Sequence, residues 1–159
     1  MSFTVEPIDQ NTRHLVRKLI STWLAEFIIS CGRKLCPAEL PGFVALNDRE
    51  ELCGLVTIEI IDDQCEIVTL DALDQWQGIG TILLDHATKA AAQAGCTRLW
   101  LITTNDNIDA LRFYQRRGMN IADIHVKALE QSRKLKPVIP KVGMYEIPLR
   151  DEIVFERWL

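Results

Sequence analysis

The chain has no apolar run approaching the length needed to cross a bilayer, and its first residues, Met1 to Glu6, carry neither a basic segment nor an apolar one. A membrane anchor and a secretory leader are therefore not expected, which places the protein in the cytoplasm. Positive charge is not in excess either: 18 Lys and Arg stand against 22 Asp and Glu, a formal net charge of −4. Without a basic face to offset phosphate charge, nucleic acid is not an expected partner. The five cysteines, Cys31, Cys36, Cys53, Cys65 and Cys96, form no C-x-x-C pair and have no histidine at ligand spacing. That pattern reads as reduced thiols and no metal site. Internal repeats and low-complexity segments are lacking as well.

What remains is an ordinary globular composition, 48% apolar and 25% charged over 159 residues, enough for one core and one domain spanning 1–159. The most informative stretch runs from Leu70 to Gly80, where an extended apolar segment passes through Gly78 and Gly80 into a long helix. From Ile79 the apolar residues Ile82, Leu83, Ala87, Ala90 and Ala94 recur on one helical stripe. Two glycines at a helix start leave backbone N–H groups and the positive end of the macrodipole open to a phosphate. Three readings compete. A Walker loop needs Lys and Ser/Thr after its second glycine, whereas Thr81 and Ile82 follow here. A dinucleotide fingerprint needs a third glycine where Leu83 stands. A strand-to-helix turn without ligand is the third.

The downstream sequence bears on that choice. Arg98 to Thr104 reads as a buried strand, followed by a polar turn, a short helix from about Asn107, and Gly118 as its stop. The pair Gln75-x-x-Gly78-x-Gly80 and Asn107-x-x-Ala110-x-x-Phe113-Tyr114-x-x-x-Gly118 resembles the two signature motifs of the GCN5-related N-acetyltransferase (GNAT) superfamily, in the right order and spacing. The likeness covers Leu52 to Met119 well and the flanks in outline; Met119 stands where the family usually has a larger apolar residue. The resemblance implies a mixed α/β fold, with a mostly antiparallel central sheet flanked by helices on both faces. It also implies acetyl-CoA as cofactor and direct transfer to an amine. A homodimer would fit families of this kind.

Read in chain order, Phe3 to Pro7 is a first strand. Asp9 or Asn11 then caps a helix carrying Leu15, Val16, Leu19, Ile20, Trp23, Leu24 and Phe27, with Gly32 as its end. Ser30 to Pro41 is a loop in which Arg33 and Lys34 could meet an acidic acceptor. Gly42–Leu46, Leu52–Ile61 and Cys65–Leu70 read as an antiparallel meander joined by Asn47-Asp48-Arg49 and Asp62-Asp63-Gln64. Ile121 to Val126 begins another strand. Pro137 and Pro140 forbid regular helix in the basic segment Lys127 to Pro140, whose Arg133 and Lys134 could face phosphate, substrate or water.

For the site, the resemblance assigns the diphosphate to amides around Gln77, Gly78, Ile79, Gly80 and Thr81, with Gln75 as a side-chain donor. It assigns the thioester carbonyl to backbone near Leu70, Asp71 and Ala72 on a strand that splays from its neighbour. Asn107 would bond the pantetheine region and Tyr114 would serve as general acid; their seven-residue spacing puts them on nearly one helix side. Glu66, with Glu59 as second choice, is the candidate general base, its pKa raised if it faces a cleft. His86 and His125 read as boundary and strand residues. The acceptor is a small-molecule amine by first choice and a protein N-terminus or lysine by second; a non-catalytic acyl-CoA sensor is the rival class.

Overall fold

The computed structural model describes residues 2–73 and 78–159. Seven strands form one sheet in the order β1 (Phe3–Pro7), β4 (Gly42–Asn47), β5 (Leu52–Ile61), β6 (Gln64–Ala72), β7 (Arg98–Thr104), β9 (Glu152–Trp158) and β8 (Asn120–His125). Two further strands, β2 (Ile28–Ser30) and β3 (Arg33–Leu35), make a separate hairpin. The helices are α1 (Arg13–Ile20), α2 (Ile79–Gln93), α3 (Ile108–Arg116) and α4 (Ala128–Leu135). All sheet pairings are antiparallel except β6 with β7. The fold is therefore the mixed α/β architecture expected. Among the described residues no helix is long and apolar enough to cross a membrane.

The two faces of the sheet follow from strand alternation. On β4 and β5, Val44, Leu46 and Leu55 pack with Val16 and Ile20 of α1. Their neighbours Ala45 and Val56 join Ile79, Leu83, Leu84, Ala87 and Ala91 of α2 on the opposite face. One helix layer thus covers each side.

Three local readings are corrected. The first helix does not run to Phe27 but stops at Ile20: the hydroxyls of Ser21 and Thr22 turn back onto the carbonyls of Lys18 and Leu19, both at 2.6 Å. Gly32 is not a helix stop; Cys31 and Gly32, at φ 49° and 77°, form the two-residue turn of the β2–β3 hairpin, where Ser30 faces Arg33. A regular helix, α4, does form in the basic segment, because both prolines lie beyond its last residue, Leu135.

One irregularity positions the site. Opposite β5, Thr69 faces Thr57 and Ile67 faces Ile58, so Val68 is an extra residue on β6. A bulge of this kind bends its strand and increases twist. On its other edge β6 pairs with β7 over three residues, Gln64, Cys65 and Glu66, against Arg98, Leu99 and Trp100. Beyond Glu66 the two parallel strands separate, and the stretch to Ala72 runs on with no pairing to β7.

Candidate active site

On the α2/α3 side of that gap, Gly78 takes φ 76° and forms the cap of α2. In this left-handed conformation glycine is favoured over any residue with a Cβ. The amides of Ile79, Gly80 and Thr81 follow in the first turn, where no intrahelical acceptor exists for them. At Gly80 a Cβ would stand 3.2–3.3 Å from the Phe113 ring, so α3 approaches α2 closely here. The cleft between them, about 340 Å³, is lined by Ala72, Gly78 to Thr81, Phe113, Asp109 and three arginines of the α3 region, Arg112, Arg116 and Arg117. Arg117 is fixed: its Nε donates to Thr81 Oγ1 at 2.7 Å and its Nη1 to the Phe113 carbonyl at 3.1 Å. Its guanidinium lies 3.8 Å from the centre of the Phe113 ring. A helix N-terminus faced by arginines suits a diphosphate. Gln75 and Gln77 lie outside the described residues.

Leu70, Asp71 and Ala72 pair with Val56, Leu55 and Gly54 of β5, and their other edge faces the gap. Burial pushes the Asp71 carboxyl above its ordinary value. Tyr114 stands close enough to Asp71 to feel its charge. Burial first and Asp71 second raise the phenol well above its ordinary pKa, so Tyr114 holds its proton firmly. Its ring is 8% exposed, edge-on to Phe113 at 5.2 Å and tilted against Phe155 at 5.6 Å. Asn107 is the N-cap of α3, its Oδ1 accepting from Ala110 N–H at 3.2 Å. It therefore precedes the helix that carries Tyr114.

Glu66 closes the paired part of β6 and β7, at the vertex of the gap. It lies on the opposite face from its neighbours Cys65 and Ile67, which pack into the α2 core. It is 2% exposed. Ser30 Oγ donates to one carboxylate oxygen in a short hydrogen bond, and Arg33 Nη2 meets the other at 2.5 Å. Arg33 Nη1 also reaches Glu59 at 3.1 Å, so one guanidinium clamps both carboxylates considered for the base. Burial raises the Glu66 carboxyl above its ordinary range, against the opposing pull of Ser30 and Arg33. The adjoining cleft, about 480 Å³, contains Glu59, Asp62, Asp63 and Glu66 with Arg33 as the cation among its lining residues.

Lys34 and Arg133 of the flanks are otherwise engaged. Lys34 sits 4.4 Å from the Phe27 ring centre. Arg133 donates to the carbonyls of Ile139, Pro140 and Leu149, pinning the segment after α4. His86 packs against Phe43 at the α2 boundary, the ring centres 5.3 Å apart and the planes tilted by 59°.

Several residues of this arrangement carried no sequence signal. Arg112, Arg116 and Arg117 fall between motif positions, and only placing α3 against the start of α2 gives them a role. Ser30 and Arg33 reach Glu66 across more than thirty residues through a hairpin where a loop from Ser30 to Pro41 was expected, so Arg33, read as facing an acidic acceptor, holds an acidic residue of this chain instead.

Comparison with known proteins agrees with this geometry. Residues 11–119 match the Acetyltransferase (GNAT) family. The Bacillus subtilis protein YdhI is 45% identical over 153 residues, 95% of each chain. A GNAT family acetyltransferase from Elizabethkingia anophelis with acetyl-CoA bound has a TM-score of 0.71 at 20% identity, covering 99% of this chain and 98% of its own. A Bacillus subtilis acetyltransferase in complex with CoA has a TM-score of 0.71 at 18% identity, covering 99% of each.

Proposed function

Because the chain belongs to the GNAT acetyltransferase family, we propose that it transfers the acetyl group of acetyl-CoA to a primary amine of a small, cationic acceptor by direct transfer. The observation that carries this reading is the parting of β6 from β7 beyond Glu66, with an arginine-lined helix start on one face and a buried carboxylate at the vertex on the other. The amides of Ile79, Gly80 and Thr81, with Arg117 beside them, would hold the diphosphate, and the free edge from Leu70 to Ala72 would line the pantetheine arm. When bound, acetyl-CoA supplies a thioester carbonyl open to attack by an amine.

The remaining work falls to this chain. Glu66, made more basic by burial, would take the proton of the incoming ammonium directly or through a water. Tyr114, on the other face, carries a firmly held phenolic proton and would deliver it where a thiolate leaves. The acidic lining of the Glu66 cleft favours a cationic acceptor through complementary charge. That lining favours a small amine over a bulky apolar one.

The test is thiol release from acetyl-CoA against a panel of amines, diamines and amino acids. We expect at least one cationic amine to accelerate release, and Glu66→Gln to abolish most of that acceleration while acetyl-CoA still binds. Acetyl-CoA binding with no turnover across the panel would point to a sensor instead. Equal turnover in wild type, Glu66→Gln and Tyr114→Phe would overturn the assigned roles.

A further inference from the structure

A second cluster lies on the hairpin side of the sheet. Glu152 opens β9 and stands opposite His125, the last residue of β8, and the pair meet at 2.8 Å through Glu152 Oε1 and His125 Nδ1. The β2–β3 turn brings Cys31 onto them, and one donor atom from each of the three lies within 4.8 Å of the others. They border a cleft of about 340 Å³ roofed by Ser132 and Leu135 of α4. The Glu152 side chain is 4% exposed, and its ion-pair partner among the described residues is His125. Among the described residues no lysine or arginine lines that cleft. A buried carboxylate whose partner is a histidine, charged only when protonated, suits a metal cation at that place. The far ring nitrogen of His125, Nε2, sits 3.3 Å from Asp123 Oδ2. A histidine that offers one nitrogen to a metal commonly donates its other N–H to a carboxylate in this way.

We infer that Cys31, His125 and Glu152 form a binding site for a divalent transition-metal ion of the zinc class, with Asp123 orienting His125. A sulfur, nitrogen and oxygen donor set excludes the oxygen-seeking Mg²⁺ and Ca²⁺ and suits Zn²⁺ or Co²⁺. Three protein ligands leave a fourth position toward the cleft. On binding, the Cys31 thiol and the Nδ1–H of His125 each give up a proton to solvent, His125 keeping its N–H at Nε2 toward Asp123, and the His125–Glu152 hydrogen bond is exchanged for two bonds to the ion. Metal bonds of about 2.0–2.1 Å at a tetrahedral angle set nitrogen and oxygen about 3.3 Å apart, so the pair opens by about half an ångström. The ion then ties the β2–β3 turn to β8 and β9. Ser30 and Arg33, which flank that turn, hold Glu66, so the site braces the base's clamp.

This inference stands apart from the acetyl-transfer reading, and Co²⁺ spectroscopy tests it without turnover. The full, reduced chain is titrated with Co²⁺. One equivalent is expected to saturate a thiolate-to-cobalt charge-transfer band and the visible bands of four-coordinate Co²⁺, and Zn²⁺ is expected to bleach both. Cys31→Ser should remove the charge-transfer band, Cys36→Ser, at the other exposed cysteine, should keep it, and His125→Ala should weaken Co²⁺ binding at least tenfold. Far-UV circular dichroism and CoA binding report whether each variant folds; if His125→Ala does not, Cys31→Ser at its exposed turn decides. Bands that require a large excess of Co²⁺, or an unchanged charge-transfer band in Cys31→Ser, overturn the site.

Discussion

The arginine beside the helix start offers a worked test of the phosphate cradle. A guanidinium has five N–H bonds. Arg117 spends one on Thr81 and one on the Phe113 carbonyl, which leaves three for a ligand oxygen among the contacts of the described residues. A hydrogen bond to a charged group contributes about 1.5–3 kcal/mol. Because the cleft is open to solvent, the low end applies, and about 1.4 kcal/mol corresponds to tenfold in Kd. Arg117→Ala is therefore expected to weaken CoA binding about tenfold, read by titration calorimetry at low salt. The effect should shrink as ionic strength rises and the Debye length falls to about 8 Å near 0.15 M. Arg117→Lys keeps the charge but not the fork or the stacking on Phe113, and should fall in between. Pantetheine, which has no diphosphate, serves as the control. If Arg117→Ala leaves the CoA Kd unchanged, or weakens pantetheine as much as CoA, Arg117 is only part of the wall and the cradle argument fails.

Other outcomes follow from the same geometry. Glu66→Gln should lower kcat about 10²-fold or more once an accepting amine is in hand, and should remove the acidic limb of the pH–rate profile; an unchanged profile rules Glu66 out as base. The same carboxyl makes a stability statement. Its folded pKa is raised above the ordinary 4.5, so the folded chain binds the proton more tightly than the unfolded one. Its contribution is greatest below 4.5 and is lost as pH rises through the folded value. Denaturant melts across that window should show a flatter slope in Glu66→Gln, and an identical slope would refute the burial argument. Tyr114→Phe should bind acetyl-CoA as wild type does yet lose about 10²-fold in kcat, whereas a parallel loss of binding would make Tyr114 a packing residue. Gly42→Ala should destabilise the sheet: its Cβ would stand 1.9 Å from the Val56 carbonyl oxygen, a backbone atom that cannot step aside. Overpacking of that kind costs about 1–3 kcal/mol or more, at about 2–4 °C of Tm per kcal/mol for a chain of this size; an unchanged Tm would contradict it.

Much of the architecture was legible because local chemistry and tertiary role coincide. Turn-forming residues such as Asn47-Asp48-Arg49 separate β-branched runs, so the meander of β4, β5 and β6 could be read directly. Gly78 marks the start of α2 by its left-handed backbone, and the apolar stripe behind it marks the buried face only in part: Ile79, Leu83 and Ala87 are buried as expected, but Ile82 and Ala94 are exposed and Leu84 and Ala91 are buried in their stead. Elsewhere apolar spacing misled. Leu24 falls on the stripe expected of α1 but is 79% exposed, because Ser21 and Thr22 had already ended the helix. The insertion of β9 between β7 and β8 is a topological choice with no local mark, and β9 is the strand that carries Glu152 to His125. The burial of Glu66 depends on Ser30 and Arg33 across the β2–β3 turn, and the arginines of the cleft on how α3 lies against α2. Such convergences arise from packing between distant segments, which sequence spacing does not encode.

Titration of the reduced chain with acetyl-CoA tests the central claim most directly. The account predicts one saturable site per chain, weakened by Arg117→Ala and left nearly intact by Glu66→Gln and Tyr114→Phe. No heat with acetyl-CoA or CoA, or saturable binding that Arg117→Ala does not weaken, would contradict it.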